Sequence, residues 1–547
     1  MVNNSNIELP DEGDNIIRTK DFEVQVNSKG LGHEIFFQMK KHADAVAQIR
    51  AECEESDTFE LLLERSVRLA LHLQKRGVTS KDIVSPCATN DLNAIVTMVA
   101  PLLIGAKIAC MDPCLGEADI GEMLQLTKAK IVFIYKEHEE KFGKIVNDLN
   151  LDVEIVVFGE TRKRTPFTEF LKPFAKDDEQ NFVPFDVRNL EDDALMVFSG
   201  GLSGVPKGMC FSHQCVLSQL QRLAGTGRKS TNFILYSSLA WISTQVSIMS
   251  SLISGSCRLI APEFDPAQTW KYLLKYDIKN LILPPNYALQ FLRYGNPDKL
   301  ETPNLKLFMI TGGRLNVDQM NGLKELFTHP LLIISPYNLK SPVRLLKKKP
   351  GASGAPIAGF DYKIVHPVTG AVCGPNEKGE ICLKSKYCIS TYYNNETASN
   401  IFDEDGFLKT GDLAYYDDDH YFYIVDVIDD IFRYESVEIP ASLLESILYE
   451  HAAVKIVSFI AIHSDGEDIA MGVVVKHDSE SANDVTEQDL IEFFNDKINN
   501  LHKIRGGILF VKESLIPYTV TGRIRKFLLC KTMLEDLDGV DLSINIM

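Results

Sequence analysis

The chain has 547 residues, 45% hydrophobic and 24% charged, with 75 acidic against 57 basic side chains and a net charge of −18. Such a length exceeds one ordinary domain, and the composition is that of a globular protein with material for large cores. The negative balance argues against a nucleic-acid partner, whose phosphates need a basic face, and leaves small anions at local positive sites as candidates.

Eleven cysteines are scattered without a CxxC pair or a Cys/His cluster. Cys87, Cys110, Cys210 and Cys382 lie in apolar runs and are expected to be buried thiols in a reducing compartment. The first residues are polar and acidic, so no secretory leader is expected. The most apolar stretch, between Asp91 and Lys107, is interrupted by Pro101 and Gly105. It falls short of the roughly 18 apolar residues of a bilayer span and predicts a buried helix running into a strand.

In chain order, Asp57-Thr58-Phe59-Glu60 predicts a helix start with Asp57 as its cap and Glu60 as the acidic partner. Leu62, Leu63, Val67, Ala70 and Leu73 share one side of that helix, and Lys75-Arg76-Gly77 ends it. Short apolar runs follow at Ile108–Met111, Ile131–Tyr135 and Val153–Phe158, separated by helical stretches. That alternation predicts a parallel or mixed α/β sheet.

Ser199-Gly-Gly-Leu-Ser-Gly-Val-Pro-Lys207-Gly208 places four glycines, two hydroxyls and a lysine in ten residues. Glycines let successive backbone N–H groups turn inward as a nest for anions, and Lys207 adds a mobile cation. The common nucleotide loop instead needs Gly-Lys-Ser/Thr opening a helix, so this is a different phosphate cradle or else a Gly/Ser surface turn. Beyond it, Phe233–Leu235, Leu259–Ala261, Leu281–Leu283, Leu307–Ile310 and Leu332–Ile334 read as further strands. Thr311-Gly312-Gly313 and Ser335-Pro336-Tyr337-Asn338 stand at strand ends, where open α/β sheets place ligands.

From about Gly354 the strands become shorter and more polar, with turn signals at Pro367–Gly370, Asn376–Gly379 and Asp403–Gly406. This predicts a hairpin-rich β subdomain. Tyr421–Val425 reads as a strand, and a domain boundary is expected near Asp426. A helix near Pro440–Leu448, a strand at Lys455–Ile462, a helix near Glu487–Ile498 and a strand at Gly507–Val511 complete a compact mixed region.

Taken together, these stretches resemble the adenylate-forming superfamily of acyl-CoA synthetases, coumarate–CoA ligases and beetle luciferases, with an insect luciferase-like flavour. The glycine stretch resembles its pyrophosphate loop. Thr410-Gly411-Asp412 and the run Tyr421–Asp426 resemble its Thr-Gly-Asp and hinge motifs. Pro440-Ala-Ser-Leu-Leu-Glu445 resembles the first helix of its C-terminal domain, and Arg505-Gly506-Gly507 with Thr521-Gly522-Arg523 resembles the run to its catalytic tip. The resemblance spans about Phe36 to Leu529.

It implies an α/β fold: a large N-terminal domain of layered sheets over residues 1–426, with a β-rich subdomain at about 354–426, and a small mobile α+β C-terminal domain over residues 427–547. It implies that ATP and a carboxylic acid, a fatty acid being the expected class, give an acyl-adenylate and pyrophosphate, after which coenzyme A displaces AMP. Cations must surround both anions for that attack. The implied catalytic residues are Lys207 and Arg523. Ser199, Gly200, Gly201, Ser203, Gly204, Gly312, Gly313, Tyr337 and Asp412 would bind the nucleotide, Tyr337 stacking on adenine and Asp412 accepting from the ribose hydroxyls. Trp241 would gate or wall the acyl pocket, a core tryptophan being the alternative, and Arg433 and Ser436 would line the coenzyme A path. The implied cofactors are ATP, Mg²⁺ and coenzyme A, and the partner is a small-molecule acid, without nucleic acid or a transmembrane segment. The family often ends in a peroxisomal Ser-Lys-Leu-type tripeptide; Asn545-Ile546-Met547 matches it poorly, so the cytoplasm is the expected compartment.

Against the family pattern, Gly200 and Leu202 replace loop hydroxyls, Ser341 replaces a glutamate that supports Mg²⁺, and Val427 replaces an arginine that meets the ribose. Asp429 replaces a hinge lysine, Arg523 the tip lysine, Glu435 a common lysine and Ser436 a common glycine, while Arg433 keeps the charge of its family lysine. These exchanges leave two functions open: an acid–CoA ligase, or a catalytically degenerate member that binds nucleotide, acyl ligand or protein without turnover.

Overall fold

The structure, a computed structural model, describes residues 7–8, 14–21, 24–198, 207–224, 232–261, 263–302, 304–312, 315, 317–327, 332–334, 349, 351–389, 391–393, 401–434, 437–464, 467–498, 503–518 and 524–537. It has a large N-terminal domain, whose described residues form three larger sheets and a two-stranded one of Ile7–Glu8 and Arg18–Thr19, and a smaller C-terminal domain, as the sequence predicts.

The first sheet has eight strands, in the order Thr391–Tyr392, Gly208–Ser212, Asp193–Phe198, Lys107–Ala109, Ile83–Cys87, Ile131–Tyr135, Glu154–Phe158 and Thr165–Pro166. From Asp193–Phe198 onward the strands run parallel, and the first two are antiparallel additions. The second sheet runs Leu332–Ile334, Leu307–Ile310, Asn280–Leu283, Phe233–Leu235, Arg258–Ile260, Val46–Arg50, all parallel, with Ser56–Thr58 antiparallel at the edge. Parallel strands covered on both faces are apolar throughout, which is why Ile-Val-Phe-Ile at 131–134 is legible as a strand with no alternation.

The main core joins one face of the first sheet, through Val84, Ile108, Phe133 and Leu195, to helices Leu31–Lys41, Phe59–Lys75, Ala94–Leu103, His213–Ala224 and Ile242–Ser254. Helices Glu117–Thr127 and Glu139–Asp148 cover that sheet's other face. Helices Pro266–Lys275, Pro285–Tyr294 and Val317–Glu325 pack on the second sheet. All ten residues of Ala94–Leu103 are buried, and strand Lys107–Ala109 follows, as expected for the most apolar stretch. Among the described residues, no helix is long and apolar enough to cross a membrane.

One helix start differs from the expectation. Thr58, not Asp57, caps Phe59–Lys75, its side chain accepting from Leu61 N. The Asp57 carboxylate is instead taken by Arg65 and by Gln48 of the neighbouring strand, and a carboxylate paired with a cation is held more strongly than one left to a cap.

The β-rich subdomain is a four-stranded antiparallel sheet of Asp361–Val365, Gly379–Lys384, Leu408–Tyr416 and Phe422–Val427. The C-terminal domain builds a three-stranded sheet from Val454–Ser464, Glu467–Lys476 and Ile508–Phe510. Helices Ala441–Leu448 and Glu487–Asn495 share one of its cores, and Lys526–Leu537 packs in another with Ile460, Met471 and Val473. Cys87, Cys110, Cys210 and Cys382 are buried, as expected, and among the described residues all eleven cysteines are free.

Candidate active site

The candidate site gathers at the carboxyl ends of parallel strands from both sheets, the position that open α/β folds use for ligands. Strands Lys107–Ala109 and Asp193–Phe198 are parallel neighbours, with Ile108 opposite Leu195 and Ala109 opposite Met196. The chain leaving the first passes through Asp112, and the chain leaving the second is the glycine stretch. The Ser238 hydroxyl, just past the second-sheet strand Phe233–Leu235, donates to Asp112 at 2.6 Å. This ties the ends of the two sheets together.

Phe198 pairs with Gly208, so the glycine stretch connects two antiparallel strands rather than a strand and a helix. That topology separates it from the common nucleotide loop. Lys207 is exposed, and its ammonium lies 5.6 Å from the centre of the Tyr392 ring. Tyr392 comes from the edge strand, where it stands opposite Met209. Spacing could not reveal this neighbour, because it arrives through strand pairing from 185 positions away. A cation over an aromatic face is favoured by the ring quadrupole, which here keeps the ammonium near the loop exit.

Gly312 follows strand Leu307–Ile310 with φ of +85°, and a Cβ there would lie 2.5 Å from Cζ3 of Trp241. The tryptophan ring therefore rests against bare backbone. Trp241 is 8% exposed and precedes helix Ile242–Ser254, whose Ser243 hydroxyl donates to Thr311 at 3.5 Å. On the strand leading to Gly312, Met309 joins Phe233, Leu235 and Ile282 in a small apolar cluster separate from the larger cores.

Thr410-Gly411-Asp412 lies within strand Leu408–Tyr416 and not in a turn. Gly411 has φ of +74° beside register shifts on both flanking ladders, so the positive φ belongs to an irregular strand. Its N–H donates to Glu380 at 2.8 Å, and the Thr410 hydroxyl donates to the Ile381 carbonyl at 2.7 Å. Asp412 stands directly opposite Val427 on the next strand. Asp426 turns its carboxylate the other way, accepting from Val427 N at 2.9 Å and from Ser442 N at 3.1 Å. Arg433 is exposed in the hairpin Ile431–Tyr434/Val437–Pro440, and its N–H donates to Asp468 at 2.8 Å.

Ser199, Gly200, Gly201, Leu202, Ser203, Gly204, Gly313, Tyr337, Ser341, Glu435, Ser436 and Arg523 lie outside the described residues. Of the predicted set, the described residues bring Trp241 against Gly312 and Asp412 opposite Val427.

Residues 35–393 match the AMP-binding enzyme family. The chain belongs to that family. Luciferin 4-monooxygenase of Photinus pyralis is 26% identical over 517 residues, covering 90% of this chain and 92% of that protein. A probable 4-coumarate–CoA ligase of Dictyostelium discoideum is 24% identical, covering 92% and 95%. The solved structure of the luciferase-like enzyme from the nonluminescent mealworm Zophobas morio is 30% identical, covers 75% of this chain and 98% of that one, and superposes with a TM-score of 0.70. Membership makes this an adenylate-forming fold of a nucleotide-binding family.

Proposed function

We propose that this AMP-binding family member is an ATP-dependent acid–CoA ligase acting on a fatty acid. The observation that carries the reading is the meeting at Gly312. Gly312, which the resemblance gives to the adenine site, packs directly against the ring of Trp241, which the same resemblance gives to the acyl pocket. A nucleotide and an apolar acyl chain would thus meet at one point. The mealworm and ligase relatives support the same class.

In the first half-reaction a carboxylate oxygen of the acid attacks the α-phosphorus of ATP and pyrophosphate leaves. Lys207 supplies positive charge to the phosphates, Asp412 accepts from the ribose hydroxyls, and Arg523 supplies the cation between carboxylate and phosphate. In the second, the coenzyme A sulfur attacks the acyl carbon and AMP leaves, with Arg433 on the thiol's path. Among the described residues no group of three His, Cys, Asp or Glu side chains could hold a metal ion, so Mg²⁺ would ride on the phosphate oxygens of ATP and on water. The hinge between the domains is assigned to Asp426–Val427, and the compartment to the cytoplasm.

A specific observation favours a second reading, a member that binds without turnover. Val427 faces Asp412 across the ladder, so the place that the resemblance gives to a ribose-binding arginine is apolar. Acid-dependent ATP–pyrophosphate exchange across fatty and aromatic acids decides between the two. Exchange with a fatty acid is the expected result, and none at high protein concentration overturns the ligase reading. Val427→Arg with Arg523→Lys is expected to raise the exchange rate; a flat response would mean that these two positions do not limit adenylation.

A further inference from the structure

The C-terminal domain meets the N-terminal domain through a two-pronged ion pair 406 residues apart in sequence. Arg525 Nη1 lies 2.8 and 3.0 Å from the two carboxylate oxygens of Asp119, and the two side chains are only 14% and 16% exposed. A pair this sheltered is screened little by salt.

Both ends of the pair are built to hold a position. Asp119 sits in the first turn of helix Glu117–Thr127, directly after the chain that leaves strand Lys107–Ala109. That chain is anchored twice, by Lys141 donating to the carbonyls of Pro113 and Leu115 at 2.9 and 3.0 Å, and by the Ser238–Asp112 hydrogen bond. The strand beneath it is the parallel neighbour of Asp193–Phe198, from which the glycine stretch departs. Asp119 is thus a fixed acid at the start of a helix that follows the strand next to the one from which the glycine stretch departs.

On the other side, Arg525 N donates to the Pro517 carbonyl at 2.8 Å, and Tyr518 and Ile524 form an antiparallel bridge. These contacts join Pro517 and Tyr518 to Ile524 and Arg525 as a neck. The next residue, Lys526, points back into its own domain, 2.8 Å from Glu445 and 3.4 Å from Asp430. Adjacent cations therefore tie the same neck to both domains: Lys526 to Glu445 and Asp430, Arg525 to the start of helix Glu117–Thr127.

We propose that Asp119 and Arg525 are a positioning pair that holds the neck of Pro517, Tyr518, Ile524 and Arg525 against helix Glu117–Thr127 and so selects the domain orientation for adenylation. The proposal rests on the ligase reading for its catalytic consequence, and on the ion pair alone for its structural one. The pair touches neither nucleotide nor acid. Its loss should separate the two half-reactions, because the mobile C-terminal domain that the resemblance implies would turn about the hinge before coenzyme A attacks.

Two readouts test it. Genetically encoded spin labels at the exposed residues Gln125 and Ser514 report the spacing of the domains without any acid, and leave the native cysteines in place. The unaltered chain should show one narrow distance population. Asp119→Asn and Arg525→Gln should each add a second, and the exchanged pair Asp119→Arg/Arg525→Asp should restore the first. In kinetics, each single variant should lower pyrophosphate exchange about tenfold or more, as displacement of a reacting group does, while coenzyme A attack on preformed acyl-adenylate falls less than about twofold. An unchanged distance distribution overturns the proposal, and so does an equal fall in both half-reactions. If the unaltered chain shows no exchange with any acid, the ligase reading has failed and the distance readout alone decides the pair.

Discussion

Two demands meet at Gly312. Its φ of +85° lies where a side chain costs about 1–2 kcal/mol, and an added Cβ would stand 2.5 Å from Cζ3 and 2.8 Å from Cη2 of Trp241. Overpacking of that kind typically costs a further ~1–3 kcal/mol. Gly312→Ala should therefore lower unfolding stability by about 2–5 kcal/mol in urea titrations. Trp241→Leu in the same background should return the overpacking part and leave the backbone part. Additive losses in that double-mutant cycle would mean that the ring does not press on Gly312. The same residues show what sequence could and could not reveal. A glycine pair at a strand end is legible, and Lys207 is legible as a loop cation. That Trp241 rests on Gly312, 71 positions apart, and that Tyr392 flanks Lys207 follow from sheet register, which a single sequence does not encode locally.

At the scale of elements, apolar runs marked several strands of the two large sheets: Ile131–Tyr135, Phe233–Leu235, Leu307–Ile310 and Leu332–Ile334 stand with the expected bounds. Strand Glu467–Lys476 escaped notice because its run begins Glu-Asp-Ile-Ala-Met-Gly, polar at one end and broken by glycine. Its long antiparallel pairing with Val454–Ser464 supplies what local propensity lacks.

Helix His213–Ala224 begins on a histidine with a structural task. His213 Nδ1 accepts the Leu31 N–H at 3.2 Å, tying this helix to the start of Leu31–Lys41. Burial holds its pKa down at about 4, against the weaker upward pull of Asp192 and Asp193. The unfolded chain, with an ordinary histidine near 6.5, binds the proton first as pH falls. Stability is therefore fully present above about pH 6.5 and is lost as pH drops toward 4, by on the order of 3 kcal/mol from this group. His213→Gln retains an acceptor and removes the titration. Its stability should fall less between pH 7 and 4.5 than that of the unaltered chain, by about 2 kcal/mol or more in denaturant midpoints converted to free energy. Parallel pH profiles would show that His213 is not the group responsible.

For the whole molecule, a large N-terminal and a smaller C-terminal domain were legible in the sequence, but the contacts that Asp426 makes were not. Asp426 stands where the sequence places the domain boundary, and it is buried. Helix Ala441–Leu448 begins after Pro440 and has no side-chain cap of its own. The Asp426 carboxylate serves instead, accepting from Ser442 N in the first turn at 3.1 Å while its other oxygen holds Val427 N. An acid at a helix N-terminus both satisfies an orphan donor and meets the positive end of the dipole. Because this cap comes from 16 residues upstream, no local cap motif announces it. Burial opposes the charge on Lys526, and Glu445, Asp430 and Asp426 overcome it, so its pKa lies above the usual lysine range. The hinge side of the C-terminal domain is thus organised around one cation and three acids. Asp426→Ala removes the cap and one of those acids, and caps of this kind are worth about 0.5–2 kcal/mol. Amide exchange over 441–448 should then speed up by about tenfold, while exchange over 59–75, in the N-terminal core, stays as it was. Asp426→Asn keeps an acceptor for Ser442 N and should recover most of that protection. Equal acceleration in both segments would mean that Asp426 supports the fold at large rather than the join between its two parts.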